Sequence, residues 1–239
     1  MKNLLFLLLL TPFLVFSQDA KDPGLFEVMY LKIKSGQEKA FEAAVKKHNA
    51  AHHKEGTLYN ASVHYVINGP NGGNYSWVMG PTHFAAMDDR PQDDTHDKDW
   101  SEVNKFVESA SSASYWQEEA KLTAPGPDVR TSKSLVWIFD IKKGKSDRWE
   151  ELVAQVKEVY DAKRPGESMY VYWNRFANTK AGEDAAVVFT FNKWGWLDRE
   201  SNFNKDYEAV HGADSWNYFL EEFNACVEGR VEFLRERVE

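Results

Sequence analysis

The sequence has almost no cysteine. Cys226 is the only one among 239 residues, so no intrachain disulfide can form. The fold therefore has no covalent staple, and its stability must come from buried apolar area. Beyond the first seventeen residues there is no apolar run approaching the roughly 20 residues needed to cross a bilayer. The chain also lacks a Walker loop, a Rossmann glycine pattern and a Ser-His-Asp motif. Basic residues are the minority, 29 Lys and Arg against 37 Asp and Glu, and they form no stripe. A field of that sign repels phosphate backbones, which excludes nucleic acid as a partner.

What is present begins with a targeting segment. Lys2 forms a positive start, residues 4–16 are apolar apart from Thr11 and Pro12, and Val15 and Ser17 stand at small-x-small spacing. Cleavage is expected after Ser17, because thirteen apolar residues are too few to span a membrane. No cysteine lies at the cleavage point to carry a lipid anchor. A periplasmic or secreted protein is expected, with no stable membrane insertion after cleavage. Loss of Lys2 leaves 28 basic residues against the 37 acidic ones. The full sequence is 43% hydrophobic and all nine tryptophans lie beyond residue 17, so the remainder has ample apolar area for two small cores or one fused core.

The chain reads as two copies of one unit. Residues 25–33 (LFEVMYLKI) and 135–141 (LVWIFDI) are strand-like runs, each followed by a Lys-rich turn with a glycine, Gly36 and Gly144. From those glycines onward Phe41, Ala44, Val45, His48 and His52 align with Trp149, Leu152, Val153, Val156 and Tyr160. Their i, i+3, i+4, i+7, i+11 spacing puts one stripe along each of two helices. Each helix leads into a hairpin, 59–67 with 75–79 and 169–176 with 185–191, whose turns hold Gly and Asn for positive φ. Thr82 and Asn192 are placed as N-caps of the next segment, where Phe84 and Trp194 align as core positions. A polar insertion follows in each copy. A second helix is then expected from 99 to about 113 and from 215 to about 227, opened by Trp100 and Trp216 as core anchors. Closing strands are expected at 114–122 and 230–237. Residues 123–133 (TAPGPDVRTSK) suit neither helix nor central strand. The expected organisation is a signal peptide at 1–17, a first repeat at 25–122, a linker at 123–133 and a second repeat at 134–239.

The β-α-β-β-α-β order is that of a ferredoxin-like α+β unit, in which two helices cover one face of a four-stranded antiparallel sheet. Part of the run at 135–141 is apolar on both faces, as expected when a sheet is covered twice. In this element order and in the stretch YLKIKSGQEKAFEAAVKKH, the sequence resembles the dimeric α/β-barrel superfamily. That superfamily includes stress-responsive A/B-barrel proteins, antibiotic-biosynthesis monooxygenase-like domains and haem-handling relatives of chlorite dismutase. The resemblance implies two tandem ferredoxin-like units packed sheet to sheet as an intrachain barrel. It implies no single activity, since such folds host oxygenases, isomerases, haem enzymes and regulators. No residue matches a proximal haem histidine: His211 precedes the last helix and has no counterpart in the first copy.

Six of the seven histidines, His48, His52, His53, His64, His83 and His96, fall in the first copy. His48 and His52 are one helical turn apart, which brings two imidazoles within reach of one metal ion. A third ligand would come from His53, Glu55 or His83; without one, the pair is two amphipathic side chains at the rim of a helix–sheet interface. The acidic stretch 88–99 is rich in oxygen ligands but lacks the order of a calcium loop, and reads as a solvated loop with a helix N-terminal acidic cluster. On the strand after the first helix, Asn60, Ser62 and His64 alternate with Tyr59, Ala61, Val63 and Tyr65, so the three polar side chains share a face. The matching strand places Tyr170, Tyr172 and Asn174 on one face, and Val171, Trp173 and Arg175 on the other.

Three functional expectations follow. The first is a small-molecule-binding protein, extending to cofactor-free oxygenase or isomerase-like chemistry, with its ligand between the sheets. His64 would act as acid or base and Tyr172 and Asn174 would orient the substrate, with Asn60, Ser62, Arg175 and Trp173 as ligand contacts. The second is haem or metal binding, with His48 and His52 as metal ligands. The third is a non-catalytic interaction module of an exported complex. The sequence names no cofactor and leaves an oligomer open.

Overall fold

The computed structural model describes residues 24–90, 93–127, 130–177 and 182–238. The targeting segment at 1–17 lies outside the described residues. The first half comprises β1 (Leu25–Ile33), α1 (Glu38–His52), β2 (Ala61–Val66), β3 (Tyr75–Thr82), α2 (Asp94–Asn104), β4 (Val107–Ala110) and β5 (Ser114–Glu118). The second comprises β6 (Lys133–Ile141), α3 (Ser146–Lys163), β7 (Tyr170–Asn174), β8 (Ala185–Phe191), α4 (Phe203–His211), α5 (Ser215–Cys226) and β9 (Val227–Arg237). Short 3₁₀ turns at Phe84–Met87 and Trp194–Trp196 follow β3 and β8. Among the described residues no helix is long and apolar enough to cross a membrane.

The strands form one large antiparallel sheet. In the first half β1 pairs with β3 along one side and with β5 and then β4 along the other, while β3 also pairs with β2. The second half repeats the order: β6 lies between β8 and β9, and β8 pairs with β7. Two further pairings, β2 with β9 and β5 with β7, join the halves edge to edge. The order β3-β2-β9-β6-β8-β7-β5-β1 therefore returns to β3, and the sheet closes on itself.

Side-chain alternation then separates an outer layer from an inner one. On the outer face, Val63, Trp77 and Met79 pack with Phe41 and Val45 of α1 and Val103 of α2. In the second half Val171, Val187 and Phe189 join Trp149, Leu152 and Val153 of α3 and Phe219 of α5. The inner face holds Val66, Trp116, Val136, Ile138, Val188 and Phe233, with Phe26, Val28, Tyr30, Tyr170 and Tyr172 against them. Cys226 is buried in the outer layer of the second half.

Several boundaries differ from expectation. α2 begins at Asp94 because the Asp93 carboxylate caps it, accepting from the backbone N–H of Thr95 at 2.9 Å and of His96 at 2.8 Å. It ends at Asn104 instead of about 113, since 107–110 is drawn into the sheet as β4 along the far end of β1. The polar insertion of the second half is itself helical, as α4, with Phe203, Tyr207 and Val210 packed against the outer core. His83, not Thr82, caps the first 3₁₀ turn, and Lys193, not Asn192, precedes the second. Phe84 and Trp194 are 40% and 46% exposed and are not core positions; in the first turn it is Ala86 that is buried.

Trp149 is fully buried, so Trp149→Ala should lose about 3–5 kcal/mol in urea unfolding. Trp194→Ala, at a position nearly half exposed, should cost under about 1 kcal/mol. Equal losses would contradict the division into core and surface drawn above.

Candidate functional site

Inner-face side chains converge on a cavity of about 810 Å³, rimmed by 3₁₀-turn residues and by residues of the 123–133 segment, including Pro125, Pro127 and Arg130. That volume lies within the roughly 300–1,000 Å³ usual for small-molecule sites. His64 reaches it because Ala61 and Val63 turn outward to the helices, so period two sends His64 inward. Its Nδ1 is shut off from solvent and has no hydrogen-bond partner among the described residues. Desolvation holds the imidazole well below its ordinary pKa of 6.5, and the nearby Arg235 and Arg237 charges push the same way. His64 is therefore neutral near pH 7, as a proton acceptor must be.

Tyr172 also lines the cavity, its ring edge-on to Phe26 with centroids 5.5 Å apart. Burial raises the Tyr172 and Tyr30 hydroxyls above the usual phenol range. The group that sequence reasoning missed is Arg235, which extends into this space from β9. Its Nε donates to Ser134 Oγ at 3.0 Å, and among the described residues no carboxylate pairs with it. Burial pulls Arg235 downward while Tyr30 and Tyr172 oppose that, and a guanidinium stays charged at any physiological pH. Its alternation with Phe233 and Arg237 was the available signal.

The remaining expected contacts are placed elsewhere. Trp173 turns outward and packs on Trp149 with centroids 5.1 Å apart, because its neighbour Tyr172 takes the inward position. Arg175 lies past the end of β7, exposed, its guanidinium 6.0 Å from the Phe84 ring. Asn174 is engaged at both ends of its amide, donating to the Glu183 carbonyl at 2.8 Å and accepting from the Phe176 N–H at 3.1 Å. Asn60 precedes β2, its amide 3.4 Å from the Gly80 carbonyl. Ser62 shares the strand face of His64 but does not line the cavity. Trp196 does line it, stacked on Phe191 at 4.9 Å.

A second cluster lies on the other side of the sheet, under α1 and α2. His48 and His52 stand one turn apart as expected, but they do not share a ligand position. His52 Nε2 is 3.1 Å from Asp99 Oδ2, an ion-pair geometry that turns it aside. His48 instead meets His53, from the C-cap of α1, and His96, from the first turn of α2. Their ligand nitrogens all lie within 4.8 Å of one another. His53 Nδ1 is 2.7 Å from the Tyr59 carbonyl, which can only accept, so Nδ1 carries the proton and Nε2 keeps its lone pair. Both nitrogens of fully buried His48 lack a hydrogen-bond partner. Burial, with neighbouring imidazoles, brings His48 down to about 3; burial brings His53 down to about 4 despite the Tyr59 carbonyl.

The other proposed third ligands are spent. His83 Nδ1 accepts from the Ala86 N–H at 3.0 Å, and exposed Glu55 faces Arg130. The space beside the three imidazoles is about 260 Å³, walled by Met29, Trp77 and Trp100. It falls below the roughly 300 Å³ at which small-molecule pockets begin, so it suits an ion and does not fit a haem. His211 in the second half is occupied as well, with Nε2 3.0 Å from the Gln155 carbonyl and its ring 4.4 Å from that of Tyr207.

No protein family matches this sequence, and no curated protein does either. The fold is α+β with a large antiparallel sheet, and solved structures share it. A protein from Lactobacillus acidophilus NCFM provisionally described as a monooxygenase is 15% identical with a TM-score of 0.56, over 91% of this chain and 95% of that one. A provisionally described monooxygenase from Fusobacterium nucleatum is 8% identical with a TM-score of 0.57, over 90% and 92%. Chlorite dismutase from Candidatus Nitrospira defluvii in complex with imidazole is 7% identical with a TM-score of 0.53, over 91% and 93%. These proteins belong to the dimeric α/β-barrel superfamily, and at such identities the likeness is one of fold.

A histidine kept neutral by the fold makes stability depend on pH. Below about pH 6.5 the unfolded chain protonates at His64 while the folded one does not, so stability falls as pH falls. His64→Asn should flatten urea-derived stability against pH between 6.5 and 5 by up to about 1.4 kcal/mol per pH unit. An unchanged slope would show that His64 titrates as a solvated imidazole.

Proposed function

We propose that the protein is exported and binds a small anionic organic molecule in the interior of a barrel made by two tandem ferredoxin-like units. Those units correspond to residues 25–122 and 134–239, with 123–133 as the linker between them. The observation that carries this reading is Arg235, a buried cation with no carboxylate partner among the described residues, beside His64 and Tyr172 in a cavity of about 810 Å³. A buried charge is costly unless paired, and a ligand carboxylate or enolate would supply the missing partner. Tyr172, Tyr170 and Phe26 offer ring surfaces for an apolar or aromatic body.

The same cavity would support cofactor-free oxygenase or isomerase-like chemistry. His64 would take a proton from the bound molecule, Arg235 would stabilise the resulting anion, and Tyr172 would orient it. Asn174 is not assigned a ligand role, since its own backbone surroundings occupy it. The cavity itself weighs against a purely structural interaction module, for which filled inner space is expected.

Titration with benzoate, 4-hydroxybenzoate and aliphatic carboxylates of similar size, followed by tryptophan fluorescence, tests the reading. At least one should bind, and Arg235→Gln should weaken it roughly ten- to hundredfold, the worth of one charged hydrogen bond. Equal affinity in wild type and variant, or no binding across the panel, would count against it. Where turnover is found, His64→Ala should abolish it; unchanged turnover would remove His64 from the chemistry.

A further inference from the structure

The histidine cluster lies on the outer face of the sheet, where Met29 of β1 points, whereas Phe26, Val28 and Tyr30 point into the barrel. It is therefore separate from the anion cavity and does not rest on that reading. We infer that His48, His53 and His96 form a binding site for a single first-row transition-metal ion, with a coordination position open towards the adjoining pocket.

Three observations support the assignment. The ligand nitrogens are within 4.8 Å of one another, and ring centroids are separated by 5.1 Å for His48–His53, 4.9 Å for His48–His96 and 5.5 Å for His53–His96. Tetrahedral Zn–N bonds of about 2.0–2.1 Å require nitrogens roughly 3.4 Å apart, so modest side-chain rotation completes the geometry. The chemical state is also right. His53 presents Nε2 because Tyr59 fixes its tautomer, the outer-shell arrangement that orients metal-bound histidines.

The third observation is His48 itself. Both its nitrogens are buried and without a partner among the described residues, and a metal ion in this space would take the lone pair of the nitrogen that carries no proton. Imidazole ligands without a carboxylate select zinc, copper, nickel or cobalt over magnesium or calcium. Three protein ligands leave a position for water or a small anion, as in open metal sites. Arg90 stands at that pocket, held by buried Glu27 at 2.9 Å.

The test uses the whole chain, stripped with chelator and titrated with Co²⁺ and Zn²⁺, with bound metal measured by elemental analysis. One equivalent per chain should bind, while Mg²⁺ should not compete. His96→Ala should lower affinity about a hundredfold or more. This residue is at the partly exposed start of α2, so its loss leaves the core intact and the variant should fold. His48→Gln should do the same, whereas His52→Ala and His211→Ala should stay within about threefold of wild type. Azide should alter the visible spectrum of the cobalt form. The inference is overturned if no metal binds, if His96→Ala binds like wild type, or if His52→Ala is as damaging as His96→Ala. A cobalt spectrum blind to azide would overturn the open position.

Discussion

Closure of the sheet is the constraint on which the rest depends. A closed sheet has an inside and an outside, and each strand must satisfy both at alternate residues. Helices cover the outside, so outward positions can be large and apolar, as Trp77 of β3 and Phe139 of β6 are. The inside has no such cover and must be filled from its own walls. It is filled with apolar side chains around Trp116, Ile138 and Phe233, but gives way to His64, Tyr172, Arg235 and Arg237 towards the mouth. One geometric rule thus yields an apolar plug and a polar chamber in the same interior.

Both candidate sites are places where the fold tolerates polar atoms it does not itself satisfy. A buried donor or acceptor left without a partner costs about 1–3 kcal/mol, and His48 has two such atoms. Arg235 presents the same problem as a charge, with one hydroxyl for company. Some other buried or half-buried groups are paired locally: Glu27 has Arg90, Arg164 has Asp206, and Tyr207 has Gln155. Buried polar atoms without a partner among the described residues also occur at Asn49, Ser76, Thr82 and Trp137; those of the two candidate regions differ in bordering open space.

Much of this was legible in the sequence, for physical reasons. Period-two alternation put His64 on the inward face, and the same alternation on β9 could have exposed Arg235, had Phe233 and Arg237 been read with it. The repeat located β1, β8 and the long helices closely, because their apolar stripes are continuous. It failed where the copies differ. The helix expected from 99 to about 113 ran too far and hid β4, which has no counterpart strand separate from β9 in the second half. Reading residues 88–99 as a solvated acidic loop hid the Asp93 cap, and with it the helical placement of His96. The His48–His52 pairing followed from helix spacing alone, which cannot register a carboxylate arriving from α2 to claim His52.

β9 has a further meaning. It follows every other strand in the chain, yet it pairs with β6 along its length and with β2 from the opposite half, where Val66 meets Arg235. Asn68 reaches the same strand, accepting from the Leu234 N–H across 166 residues. Contacts so distant in sequence form late, because loop closure must precede any gain from them. The first half can collapse around α1 during synthesis, but the ring cannot shut until the final segment arrives. Until then the inner apolar surface and the free edge of β2 stay open, and the chamber that holds Arg235 comes into being only with the last step of folding.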